Sequence, residues 1–469
     1  MRNAAELTLF VCLLAFLAWV PMPFGSASDA SQPFLIVPPL LICAAAAALR
    51  ASWKRPFVPR TAARIWIAGA VLFVLVIALQ LVPLPMGMLR LFSPRSAEIW
   101  GSATHVAALA GVRAPAMYPI TIDPDETALH LYRALAYAAT FLSSLLLVRD
   151  RKRRTILAAL LAALAVFEAL YAVREAALGR FAIWGWKNTL IYGRASGTFV
   201  NPNHFAHYAA IILPMALYLS AYAWHSAAPA GALFGRRFVR MMERQFIPFA
   251  GGVLGALACI AAVLVSESRG ALLAIIGGFA ITAAIASDSR RALIRGALIA
   301  AVVAAVLGAA VVVLDQSHIV KRFEGSRVSE FEARRASIAG ALRIWQIFPL
   351  FGSGAGTYED AVVMTRAYPG DAIPNHAHDD YAEILGTTGA LGFLVSVVPL
   401  IAGFAALSRS TFGENGEPMS WRRRAFRAAA LTSIAIAMLH ALVDFNFFIP
   451  ANPITLAAIA GAAVVAREP

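Results

Sequence analysis

The sequence predicts an all-α fold, a polytopic membrane helix bundle of about twelve transmembrane helices with a long, partly helical periplasmic loop. Three observations predict it. Of 469 residues, 60% are hydrophobic and only 14% charged. Mean hydropathy is +0.71. The basic residues fall in short clusters between apolar runs. A hydrocarbon core of roughly 30 Å needs about 20 apolar residues per helical span, and backbone groups inside it must be bonded within the protein. The net charge of +14 would suit nucleic acid if it lined one face. Scattered between spans, it orients a membrane protein instead, and no nucleic-acid partner is expected.

The first apolar run, Leu7 to Val20, follows Arg2 and reads as a retained helix, although Gly25-Ser26-Ala27-Ser28 has the small residues of a signal cleavage site. Spans are expected near 5–22, 33–49, 65–83, 128–148, 156–173, 204–224, 247–265, 270–287, 296–314, 387–407, 428–446 and 452–466. Arginine-rich loops alternate with arginine-poor ones. Arg50 to Arg64, Arg149 to Arg154, Arg236 to Arg244, Arg290 to Arg295 and Arg409 to Arg427 mark the cytoplasmic set by the positive-inside rule. With Arg2 and Arg467 at the ends, both termini fall in the cytoplasm, which requires an even number of spans.

The chain then divides into N-terminal transmembrane helices (1–64), a bundle with outer loops 84–127 and 174–203 (65–314), a large outer loop (315–386) and C-terminal helices (387–469). Cys12, Cys43 and Cys259 lie inside apolar runs without metal spacing and read as small core residues. In the large loop a helix is expected from about Ser329 to Phe348, with Ser329 and Glu332 spaced as a capping box and Ile338, Leu342 and Trp345 on one face. Gly352, Gly354 and Gly356 follow as a flexible turn. It is no nucleotide loop, since no strand precedes it and no Lys-Ser/Thr follows.

Three polar constellations lie at outer boundaries. In Arg194-Ala195-Ser196-Gly197-Thr198-Phe199-Val200-Asn201-Pro202-Asn203-His204, Asn201 or Asn203 is placed to cap the following helix. Ser266-Glu267-Ser268-Arg269-Gly270 is a charged break between two apolar runs, and an arginine at a bilayer edge is costly unless it is used. A plain hairpin with Arg269 paired to Glu267 is the bland alternative. In Asn375-His376-Ala377-His378-Asp379-Asp380-Tyr381, alternating imidazoles and carboxylates suit either a metal ion or a general base oriented by Asp379 or Asp380. His207 and His440 read as satisfied bundle histidines, and Asp444 as a partner for an arginine or a helix cap.

From about 190 to 450 these residues resemble the O-antigen ligase and polymerase superfamily. His378 and Asp379, nine residues, then Gly389-Ala390-Leu391-Gly392 are similar to the family pattern of His, Asn/Ser/Gln, nine residues and Gly-x-x-Gly, with Asp379 departing at the second position. Arg194, Arg269 and the run Asp444 to Asn452 also look like family segments. The resemblance implies transfer of a saccharide chain from a polyprenyl diphosphate carrier to an acceptor hydroxyl at the periplasmic face of a bacterial inner membrane. It implies no cofactor and no metal. Partners would be the lipid-linked donor, a glycan or lipid A core acceptor, and membrane lipid. His378, Arg269 and Arg194 would be catalytic, and Asn201, Asn203, His376, Asp379 and Tyr381 substrate-binding. The alternatives are a multi-pass transporter or flippase, and a protein O-oligosaccharyltransferase of the same superfamily.

Overall fold

Runs of Ala, Leu, Val and Ile with few interior breakers fold as helices throughout the chain. The computed structural model describes residues 2–52, 60–187, 193–229, 231–286, 328–365, 373–412 and 420–464. In chain order the helices are α1 (Arg2–Trp19), α2 (Gln32–Ala51), α3 (Thr61–Gln80), α4 (Met86–Phe92), α5 (Pro94–Leu109), α6 (Pro124–Leu147), α7 (Arg151–Ala177), α8 (Pro202–Ser226), α9 (Phe234–Arg244), α10 (Phe246–Val265), α11 (Arg269–Ile285), α12 (Val328–Ile347), α13 (Tyr358–Val362), α14 (Asp380–Phe412), α15 (Trp421–His440) and α16 (Ala451–Ala463). Two short antiparallel ribbons complete them, Leu84–Pro85 with Met117–Tyr118 and Ala182–Ile183 with Trp186–Lys187.

Among the described residues, six helices are long and apolar enough to cross a membrane: α2, α3, α7, α8, α10 and α14. Shorter apolar helices are α1, α11 and α16. The chain is therefore a multi-pass membrane protein. The expected span at 296–314 and the cluster Arg290 to Arg295 lie outside the described residues. Helix α15 ends at His440, so the expected span to 446 is too long and Asp444 stands beyond the helix.

Helix α8 is the buried axis, packed by α7, α10, α11, α15 and α16. Small side chains permit the closest crossings, as where Gly255 of α10 meets Ala162 of α7. Of the cysteines, only Cys259 is buried; Cys12 is exposed and Cys43 half-buried.

One end of the bundle is held by arginines on helix C-terminal carbonyls, where the dipole is negative. Arg50 Nη2 donates to Leu146 O (3.3 Å) and Arg153 Nη1 to Leu147 O (2.7 Å), while Arg153 also pairs with Glu6 (2.5 Å). Arg427, almost fully buried, donates from Nε to Ala463 O (2.9 Å).

Two expectations about the large loop need correcting. The buried stripe of α12 is Ser337, Ala341 and Ile344, continued by Phe348 just past its end, and Ile338 packs on the same cluster, whereas Leu342 is exposed; α12 packs on α13 and α14 along this stripe. Ser329's side chain lies outside the described set. The glycine turn is fixed rather than flexible. Gly352, Gly354 and Gly356 have φ of 73°, 125° and 88°. Buried Gln80 at the end of α3 donates to Phe351 O (2.6 Å) and Thr387 O (2.9 Å) and accepts from Ala355 N (3.0 Å). Only glycine reaches those angles at low cost, so the sequence pattern serves a buried knot between α3 and α14. Within α14, Gly389 (φ 67°, ψ −175°) breaks the helix after its first turns.

Candidate functional site

Opposite the arginine end, the N-termini of α8, α11 and α14 meet the C-termini of α10 and α15. Asn201 caps α8 by accepting from Asn203 N (2.9 Å), and Ser268 caps α11. These caps fix where the neighbouring side chains project.

Arg194, Asn203, Asp444 and His378 form one chain of contacts. Arg194 Nη2 donates to Asn203 Oδ1 (2.8 Å), and its Nε and Nη2 donate to Ser266 O (2.9 and 2.6 Å). Asn203 Nδ2 donates to Asp444 Oδ2 (2.8 Å). Asp444 Oδ1 lies 3.3 Å from His378 Nδ1 and 3.8 Å from His204 Nε2. Burial alone would raise the Asp444 carboxyl, but the imidazoles of His204 and His378 beside it outweigh that and hold it well below the usual carboxylate range. An ionised Asp444 favours the His378 tautomer with hydrogen on Nδ1, leaving Nε2 as the basic nitrogen.

Arg269 lines a small, partly open cleft together with Asn203, Glu267, Ser268, Gly270, Arg334, His440, Val443 and Asp444. Arg334 of α12 reaches in from the large loop and donates to Val443 O (3.1 Å). The backbone flanking the site is held in the left-handed region at two non-glycine residues, His378 (φ 55°) and Glu267 (φ 53°). Such conformations persist where the surroundings enforce them, and they cluster at functional sites. The His378 side chain keeps 31% of its surface exposed while Asp444 keeps 2%.

The sequence-derived residues thus divide. Arg194, Asn203 and His378 join through Asp444, and Arg269 lines the cleft bordered by two of that chain. Asn201 is engaged as a helix cap. His376 pairs through Nδ1 with buried Glu383 Oε1 (2.7 Å) and stacks on Phe445 (4.2 Å). Asp379 accepts from Tyr381 N and Ala382 N (2.9 and 3.0 Å), capping α14. The Tyr381 hydroxyl donates to Met438 O (3.0 Å).

The carboxylate facing His378 is therefore Asp444, from 66 residues downstream, rather than Asp379 or Asp380. Buried Asp380 accepts from Phe447 N (3.1 Å) and fastens the Asp444 segment to α14. His207 and His440, expected as satisfied bundle histidines, bond each other through their Nδ1 atoms (3.0 Å), but the buried His207 Nε2 has no hydrogen-bond partner among the described residues and His440 also lines the cleft.

Arg334 and Glu168 went unnoticed in the sequence. Arg334 looks like any charge on a surface helix. Glu168 sits in α7, 1% exposed, and accepts from Thr198 N (2.9 Å) and Thr198 Oγ1 (2.7 Å), anchoring the loop that carries Arg194. A lone acid inside an apolar run was its signal. Among the described residues no group of three or more His, Cys, Asp or Glu is placed to hold a metal ion.

Residues 254–397 match the family model for O-antigen ligase, which supports the likeness of this segment to the O-antigen ligase superfamily. The match includes Arg269, Arg334 and His378 and stops short of Arg194 and Asp444. It supports membrane glycan transfer of the ligase and polymerase type in general. No curated protein matches the chain.

Proposed function

We propose that the protein is a membrane glycosyltransferase that moves a saccharide chain from a polyprenyl diphosphate carrier to an acceptor hydroxyl at the periplasmic face of a bacterial inner membrane. The observation that carries this reading is the contact chain from Arg194 through Asn203 and Asp444 to His378, beside the cleft that Arg269 lines.

His378 Nε2 accepts the proton of the acceptor hydroxyl as its oxygen attacks the anomeric carbon. The bond from that carbon to the diphosphate oxygen breaks, and polyprenyl diphosphate leaves with the bonding pair. Arg269 and Arg194 hold fixed positive charge where negative charge accumulates, and a planar guanidinium donates to two phosphate oxygens at once. Attack opposite the leaving group inverts the anomeric carbon. Asp444 acts as a positioning residue, holding the imidazole and balancing its charge once protonated. The acceptor is a lipid A core sugar in a ligase, a second lipid-linked repeat in a polymerase, or a Ser/Thr hydroxyl in a protein O-oligosaccharyltransferase. All three offer the same alcohol to the same base.

In cells matched for protein level, Arg269→Ala and His378→Ala should each abolish surface glycan and accumulate the lipid-linked precursor. Unchanged glycan profiles would refute transfer at this site.

A further inference from the structure

Helix α9 joins the C-terminal end of α8 to the start of α10, far along the sequence from the cleft residues of either helix. At 11 residues it is about 16 Å long, roughly half of what a bilayer crossing requires. Its residues separate cleanly by face. At 100° per residue, Phe234, Phe238, Val239, Met241 and Met242 occupy one arc, and Arg236, Arg237, Arg240 and Arg244 the other, with Glu243 as the helix's lone acid.

Only Met241 of the apolar arc is buried in the bundle. Phe234 is 73% exposed, Phe238 45% and Val239 54%. An apolar arc left uncovered beside four guanidinium groups is the pattern of a helix lying in a membrane interface, its rings among acyl chains and its cations at headgroup level. The basic arc continues onto α15. Arg237 approaches His225 (3.4 Å), the His225 ring packs on Trp421 (4.8 Å), and Arg422 lies over Trp421 (5.7 Å). The buried Arg422 Nε has no hydrogen-bond partner among the described residues. Neutral headgroups do not repay this concentration of one sign of charge, whereas anionic ones do.

We infer that α9, with Trp421 and Arg422, is a binding surface for anionic phospholipid headgroups in the leaflet opposite the cleft. The occupant is lipid rather than a soluble acidic protein, because charge complementarity accounts for the arginines and only acyl chains account for the exposed phenylalanines. The inference is independent of the transfer chemistry.

The test is native mass spectrometry of the full chain released from nanodiscs of mixed phosphatidylglycerol and phosphatidylcholine. Wild type should retain phosphatidylglycerol in excess over the disc composition. Replacing Arg236, Arg237, Arg240 and Arg244 by Gln should cut that excess, on the order of fivefold per contacting arginine. Arg95→Gln, on an exposed outer helix, should leave it unchanged. Wild type alone also tests the idea if the fourfold variant folds poorly, since raising salt should erode the excess. Retention that mirrors disc composition, or that is indifferent to both salt and the substitutions, would overturn it.

Discussion

The two ends of this bundle use the same side chain for different purposes. At one end Arg50, Arg153 and Arg427 lie against carbonyls that end α6 and α16, and Glu6 supplies a carboxylate. Those guanidinium groups finish helices. At the other end Arg194, Arg269 and Arg334 come from three separate elements and stand at or beside a cleft with Asn203 and Asp444. A count of arginines per loop orients the protein but cannot separate the two uses. Both ends use backbone carbonyls and a carboxylate; what separates them is the pair of imidazoles facing Asp444 and the cleft that Arg269 lines.

Substitutions at the two ends should therefore fail differently. The largest effect is expected for His378→Ala, which removes the proposed base and should lower the transfer rate about 10²- to 10⁴-fold without changing the melting temperature; a rate within a few fold of wild type would dissolve the distinction. Next is Arg269→Gln, with about 10²- to 10³-fold lost from kcat, checked by steady-state assay in nanodiscs. Asp444→Asn keeps shape but removes the charge facing His378, and should lower kcat about tenfold or more while KM for the donor changes little. At the arginine end Arg427→Met should cost about 1–3 kcal/mol of stability, because it leaves the Ala463 carbonyl without its buried donor. Its activity per folded molecule should equal wild type, so a selective loss of kcat would blur the comparison. The smallest effect is expected from chelator: Glu383 and Asp444 are engaged by His376, Ala377 N, Asn203 and His378, and transfer rates should not change.

The helices were legible because hydropathy over about 20 residues is a strong signal. Each expected span other than 296–314 overlaps a described helix, and six of those helices are long and apolar enough to cross a membrane. Local polar motifs also drew attention to segments that the fold brings near one another, since Arg194, Arg269 and His378 each interrupt or border an apolar run. Pairings between distant segments were not legible. Nothing near His378 announces that its carboxylate is Asp444 when Asp379 and Asp380 adjoin it, and only the fold reveals that those two are taken up by amides of α14 and of Phe447. The glycine turn misled because composition alone suggests mobility, while Gln80, 275 residues before Ala355, pins it. Arg334 was hidden because nothing in its local sequence shows that α12 packs beside the Val443 segment.

The most direct measurement is a single turnover by purified protein in nanodiscs, with a defined polyprenyl diphosphate-linked oligosaccharide and an alcohol acceptor, following glycan product and free polyprenyl diphosphate together. The expected result is equal, simultaneous release of both by wild type, with inverted anomeric configuration, and neither from His378→Ala. Donor moved across the bilayer intact, or equal product from the variant, would contradict the proposed chemistry at this cleft.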